Sequence, residues 1–142
     1  MAEGLGNVGF LAWFGSRSAT YMTRIPLFPM LIAVVTVFFV IHYLFASITA
    51  QTTALLPVFL LAVLSVPGVP ARAITLILVY SLGLMGVLTP YASGPAPIWY
   101  SSGYIPTKDF WRLGAIMGAL YLVVLLAVGM PFANQLPALT VR

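Results

Sequence analysis

Apolar residues run along this chain in four blocks, and each block ends at a knot of hydroxyl residues, glycines or prolines. Met30 to Phe45 is almost wholly apolar and reads as a membrane helix. Pro29 suits its first turn, where a missing N–H leaves no bond unmade. The run stops at Ser47-Ile48-Thr49-Ala50-Gln51-Thr52-Thr53, in which five of seven side chains can hydrogen-bond. Ala54 to Val66 follows, only 13 residues, short for a span and suited to a re-entrant arm. Residues 29–66 are therefore expected to form a helical hairpin whose polar tip lies at membrane depth. Two ordinary helices joined by a surface loop are the alternative.

Pro67-Gly68-Val69-Pro70 predicts a turn. The next block, Ala73 to Leu88, ends at Thr89-Pro90-Tyr91-Ala92-Ser93-Gly94-Pro95-Ala96-Pro97, where three prolines within eight residues cannot continue a helix. Apolar residues resume at Ile98, Trp99 and Tyr100, which predicts a broken helix over 71–105. Gly103, Pro106, Lys108 and Asp109 mark an aqueous edge, with Thr107 or Asp109 as the cap of a last span over 109–130, before Pro131. Residues 2–24 interleave four glycines with Phe10, Leu11, Trp13 and Phe14, and predict an interfacial helix or a half-helix. There is no internal repeat.

Composition places these blocks in a bilayer. The 142 residues are 62% hydrophobic and 6% charged, where a soluble domain carries roughly 25% charged residues. There is room for about four or five membrane segments and little else. One all-α membrane unit is expected, with no separate soluble domain. Its start lacks the basic region of a cleavable signal peptide. The six basic residues are spread out, which argues against a nucleic-acid surface. One histidine, no cysteine and only Glu3 and Asp109 as acids supply neither a nucleophile–base pair nor a metal cluster, so no enzyme and no cofactor are expected.

The two polar breaks carry the candidate chemistry. Unwound backbone is tolerated at membrane depth only inside protein or facing a wet cavity. Half-helix N-termini there offer N–H groups and partial positive charge to carboxylates or phosphates. Ser47, Thr49, Thr52 and Thr53 can donate hydroxyl bonds from one break; Thr89 and Ser93 can do so from the other, with Gly94 allowing close approach. Neither break holds an acid, which favours a neutral cradle for a small anion over a proton relay. Helix packing through hydroxyl residues and a plain extramembrane loop are the bland readings. His42, one turn before the first break, reads as a neutral histidine satisfied by a neighbouring helix, or else as a pH-sensitive or substrate-contacting group.

At these breaks the sequence resembles the divalent anion/sodium symporter family of dicarboxylate and citrate carriers, over about Gly4 to Pro131. The segment His42 to Pro57 is similar to the second of two family hairpins, each with Ser-Asn-Thr at its tip. Ser47 and Thr49 match the flanking residues and are implied to contact a substrate carboxylate. Ile48 stands where the family has Asn, which argues against sodium coupling. The stretch Gly86 to Ile105 resembles the broken-helix loop of the citrate/succinate and oxoglutarate/malate type exchangers. Sodium-coupled members carry Thr-Pro-Pro there, and this chain reads Ser93-Gly94-Pro95. Asp109 to Gly114 also resembles that branch. The resemblance implies substrate contacts from Ser47, Thr49, Thr89, Pro90, Ser93 and Gly94, and exchange of di- or tricarboxylates without sodium, with import and sodium coupling as the alternative.

The resemblance further implies the second half of an inverted-repeat transporter fold, a bacterial-type inner or plasma membrane, and a homodimer in the complete carrier. The N-terminal half would then be a missing partner, and the chain incomplete for transport by itself. A non-transporting membrane interaction subunit or a truncated product is the alternative. Hairpin geometry puts Arg17, Arg24, Arg72 and Arg142 on one face, Lys108 and Arg112 on the other. Basic-residue counting puts the first face in the cytoplasm. The family arrangement puts it outside, and is preferred because upstream helices set orientation.

Overall fold

A computed structural model describes residues 25–135. Every regular element among the described residues is helical: α1 (Leu27–Val40), α2 (Ile48–Leu64), α3 (Ala71–Leu84), the short α4 (Ala96–Ser101), α5 (Thr107–Val124) and α6 (Met130–Gln135). Tight 3₁₀ turns extend α1 over Ile41–Leu44 and α3 over Met85–Val87, and a π-helical segment, Leu125–Gly129, joins α5 to α6. The segment expected over 2–24 lies outside the described residues.

Helices α1 and α2 pack antiparallel. Met30, near the start of α1, lines one groove with Val66 and Pro67 beyond the end of α2. Further along, the Phe38 and Phe59 rings meet edge-on at 5.1 Å. At the closed end the Phe38 carbonyl and His42 both reach Gln51. Gly68, at φ +83°, takes the left-handed conformation that turns the chain from α2 into α3.

The second arm is longer than the hydrophobic pattern suggests, 17 residues beginning at Ile48 rather than 13 beginning at Ala54. Ser47 is extended and caps the helix, its Oγ accepting the Ala50 N–H at 3.0 Å. Thr52 and Thr53 donate back to the Ile48 and Thr49 carbonyls at 2.8 and 3.0 Å, which lets a hydroxyl-rich stretch stay helical. The polar patch is thus mostly the first turns of α2, and the tip proper is Phe45 to Ser47.

The core is built where α1, α2 and α3 face one another: Val35, Phe38, Val63, Ile77, Leu78, Met85 and Leu88 are all essentially inaccessible. Helix α5, continued by the π segment, joins it through Gly114 and Gly118 and, in that segment, Leu125. Its opposite face is apolar and open: Leu113, Ile116, Leu120, Val123 and Val128 are each more than half exposed. Thr107–Phe132 and Leu27–Leu44 are long and apolar enough to cross a bilayer. An open apolar face on a membrane-length helix requires lipid or further protein around it.

Two expectations at α5 are corrected. Neither Thr107 nor Asp109 caps it: Pro106 occupies the N-cap position, with no side-chain cap bond. The Thr107 hydroxyl instead pairs with the Tyr100 hydroxyl at 2.8 Å, and Asp109 lies in the first turn, where its charge complements the dipole. Nor does the helix end before Pro131; it continues to Gln135. A proline lacks a donor and crowds the carbonyl four residues back, here Ala127. The π segment widens the helix at that point and accommodates both.

Candidate functional site

The first break offers donors. Phe45 and Ser47 are extended (ψ 133° and 151°), so α2 begins abruptly. Of its first amides, Ala50 N–H bonds to Ser47 Oγ and Gln51 N–H to the Ser47 carbonyl. Those of Ile48 and Thr49 have no helical carbonyl to bond. The Ser47 hydroxyl uses a lone pair for capping, and its own proton stays available. The Thr52 and Thr53 hydroxyls are taken by their own helix, contrary to the expectation that they could donate outward.

The second break differs from what its sequence suggested. Helix α4 has no spare N–H in its first turn. Ala96 N–H bonds to the Ser93 carbonyl, Pro97 has none, and Ile98 and Trp99 both bond to the Pro95 carbonyl. What this break presents is hydroxyls and the carbonyl end of α3. Pro90 sits second in a tight turn closed by Ala92 N–H to the Thr89 carbonyl at 3.1 Å, the position that its fixed φ favours.

The fold brings the two breaks together. A Cβ placed on Gly86 would lie 3.2 Å from Ile48 Cδ1 and 3.6 Å from Ser93 Cβ, so Gly86 is the floor on which both segments meet. Tyr91 Oη donates to the Tyr43 carbonyl at 3.1 Å, tying loop to tip. Trp111 of α5 stacks on Tyr43 at 6.2 Å and meets Tyr91 edge-on at 6.1 Å. The junction is off-centre along α5. Trp111 is four residues, about 6 Å, from Thr107, and Gly114 is seven residues, about 10 Å.

The six candidate residues divide by exposure. Thr89 and Pro90 are buried, Ser47 and Ser93 are half-buried, and Thr49 and Gly94 are exposed. Ser93 and the segment beside Ser47 converge across Gly86; Gly94 has open space where a side chain would be. Thr89 Oγ1 is buried with no hydrogen-bond partner among the described residues. A hydroxyl in that state costs about 1–3 kcal/mol. Thr89→Val, of nearly the same shape, is expected to raise the thermal midpoint of the full chain in detergent; a lowered midpoint would show that the hydroxyl is satisfied.

Sequence reading did not single out Gln51, which is fully buried. Its Nε2 donates to the Phe38 carbonyl at 2.7 Å, and its Oε1 meets His42 Nδ1. A carbonyl can only accept, so the amide orientation is set, and His42 Nδ1 must carry the proton. His42 is therefore satisfied on one side by the neighbouring helix, while its Nε2 is buried without a partner among the described residues.

A family model for the sodium:sulfate symporter transmembrane region matches residues 1–139. The citrate/succinate antiporter of Escherichia coli (strain K12) is 47% identical over 131 residues, covering 92% of this chain and 27% of that protein. The L-tartrate/succinate antiporter of the same strain is 44% identical over 130 residues, covering 92% and 27%. The Shigella sonnei (strain Ss046) L-tartrate/succinate antiporter aligns with the same identity and coverage. The chain spans 27% of the length of these relatives.

Proposed function

Because the chain belongs to the sodium:sulfate symporter transmembrane-region family, we propose that it supplies one wall of the substrate site in a secondary carrier exchanging di- or tricarboxylates. It is an integral membrane protein, and its setting is the bacterial plasma membrane. The observation that carries this reading is the meeting of the two breaks across Gly86, beside the open start of α2. The Ile48 and Thr49 amides, the Ser47 and Thr49 hydroxyls and the positive end of a 17-residue helix suit a carboxylate. Thr89, Pro90, Ser93 and Gly94 shape the facing side.

The second break adds no amide donors in α4, so charge is held mainly from the hairpin side. The E. coli relatives are antiporters by name, and Ile48 offers no amide oxygen to a cation. The proposed activity is exchange without sodium, with an N-terminal half as the other wall and, as the family resemblance implies, a homodimer as the complete carrier.

The test is a chimaera in which all 142 residues replace the aligned segment of the E. coli citrate/succinate antiporter. In vesicles preloaded with succinate it is expected to take up labelled citrate or tartrate at a rate indifferent to external sodium. A chimaera that inserts stably and exchanges none of these would sink the reading and favour a non-transporting interaction subunit.

A further inference from the structure

We propose that His42 and Gln51 are positioning residues that hold the hairpin tip in its substrate-binding shape, through a buried bridge whose working atom is His42 Nδ1. This rests on the carboxylate-exchange reading above, and on three observations. The bridge spans the arms immediately below the tip: His42 lies in the 3₁₀ turn ending α1, Gln51 in the first turns of α2. Both side chains have no accessible surface, so in this state neither can touch a substrate. And Gln51 is anchored a second time, to the Phe38 carbonyl on α1, so one amide clips both α1 and its 3₁₀ extension to α2.

The bridge closes a ten-residue loop, His42 to Gln51, that contains the extended Phe45 to Ser47 and the open end of α2. Three further bonds act within or beside it: Phe45 N–H to the His42 carbonyl at 2.9 Å, Ala50 N–H to Ser47 Oγ and Tyr91 Oη to the Tyr43 carbonyl. None of these links α1 to α2 directly. Without the bridge the tip has more conformations, and only a fraction presents Ser47 and the first α2 amides together. A carrier whose competent form is partly populated binds with an affinity reduced by that fraction, while saturating substrate restores the competent form. Loss of the bridge therefore raises KM and spares the maximal rate. A residue needed only for folding does the opposite: fewer carriers, lower maximal rate, unchanged KM.

Two conservative replacements separate the ring nitrogens. The side-chain amide of Asn reaches where His Nδ1 sits; that of Gln reaches where Nε2 sits. In the chimaera, His42→Ala is expected to raise KM about tenfold, the effect of one lost buried hydrogen bond, and Gln51→Ala, which loses two, to raise it further. His42→Asn is expected to restore it, and His42→Gln is not. An unchanged KM in His42→Ala, or rescue by Gln and not by Asn, overturns the proposal. If His42→Ala matches the parent while Ser47→Gly is inactive, the bridge alone is refuted; if Ser47→Gly also matches the parent, the carboxylate reading fails as well.

A second measurement is independent of transport. His42 is the single histidine of the chain, so ¹⁵N NMR of the full chain in bicelles reports one imidazole. The bridge requires a proton fixed on Nδ1. The reverse tautomer, or rapid exchange between the two, overturns it.

Discussion

Replacing Ser47 by glycine, and Thr49 by alanine, is expected to abolish carboxylate exchange. Ser47 needs the glycine substitution because its side chain does two things. Its Oγ accepts the Ala50 N–H and so caps α2, and alanine at an N-cap costs about 1 kcal/mol where glycine costs only a few tenths. Ser47→Gly therefore keeps the helix start and removes the donor. Each hydroxyl bond to a charged carboxylate contributes roughly 1.5–3 kcal/mol, so the double variant should exchange at least about a hundredfold more slowly. Initial rates of labelled citrate uptake by the chimaera, normalised to inserted protein, measure this. Parent-like exchange by both single variants would mean that the carboxylate is held elsewhere.

The other large effect is expected at Gly114. A Cβ there would lie 2.7 Å from the Leu88 carbonyl oxygen and 2.9 Å from that of Val87. Both neighbours are backbone, at the carbonyl end of α3 where the second break begins, so neither can turn aside. Helix α5 would have to lift off the junction. Overpacking costs about 1–3 kcal/mol, and Gly114→Ala should sit at the upper end, lowering the thermal midpoint of the full chain by about 5 °C or more. Gly118→Ala should be milder, because the added Cβ meets chiefly the end of the Leu88 side chain, which can change rotamer. Gly83→Ala meets nothing within 4 Å and lies inside α3, so it should stabilise by up to about 1 kcal/mol. The order Gly114, Gly118, Gly83 is the checkable content. Equal midpoints for Gly114→Ala and Gly83→Ala would mean that α5 does not press on the break.

The spacing of Gly114 and Gly118 on one helical face is the small-xxx-small pattern of close membrane packing. It was available in the sequence as a signal that α5 approaches another backbone. Which backbone was not available, because that requires knowing that Leu88 faces this helix.

Much about this protein is settled by neighbours along the chain. The low charge content and the long apolar blocks place it in a membrane. Pro90 keeps α3 from continuing, while Pro95 and Pro97 sit at the N-cap and first turn of α4, where a missing donor is tolerated, and both effects are confined to about one turn. Residue order over 1–139 travels with the chain and places it in its family. These effects are local, so composition and order suffice to read them.

The remainder lay outside the hydrophobic pattern, first in side-chain bonds three or four residues long and then in pairs far apart in sequence. Ser47 capping shifted the start of α2 by six residues, and Thr52 and Thr53 spent their hydroxyls inside it. Only packing buried Gln51 against Phe38 and His42, placed Ile48 against Gly86 and Ser93, and set Gly114 on the Val87 and Leu88 carbonyls. A polar side chain at the start of a helix can face lipid, water or a partner at little difference in local energy. Its orientation is decided by which buried group would otherwise go unbonded, and that is known only once the helices have met.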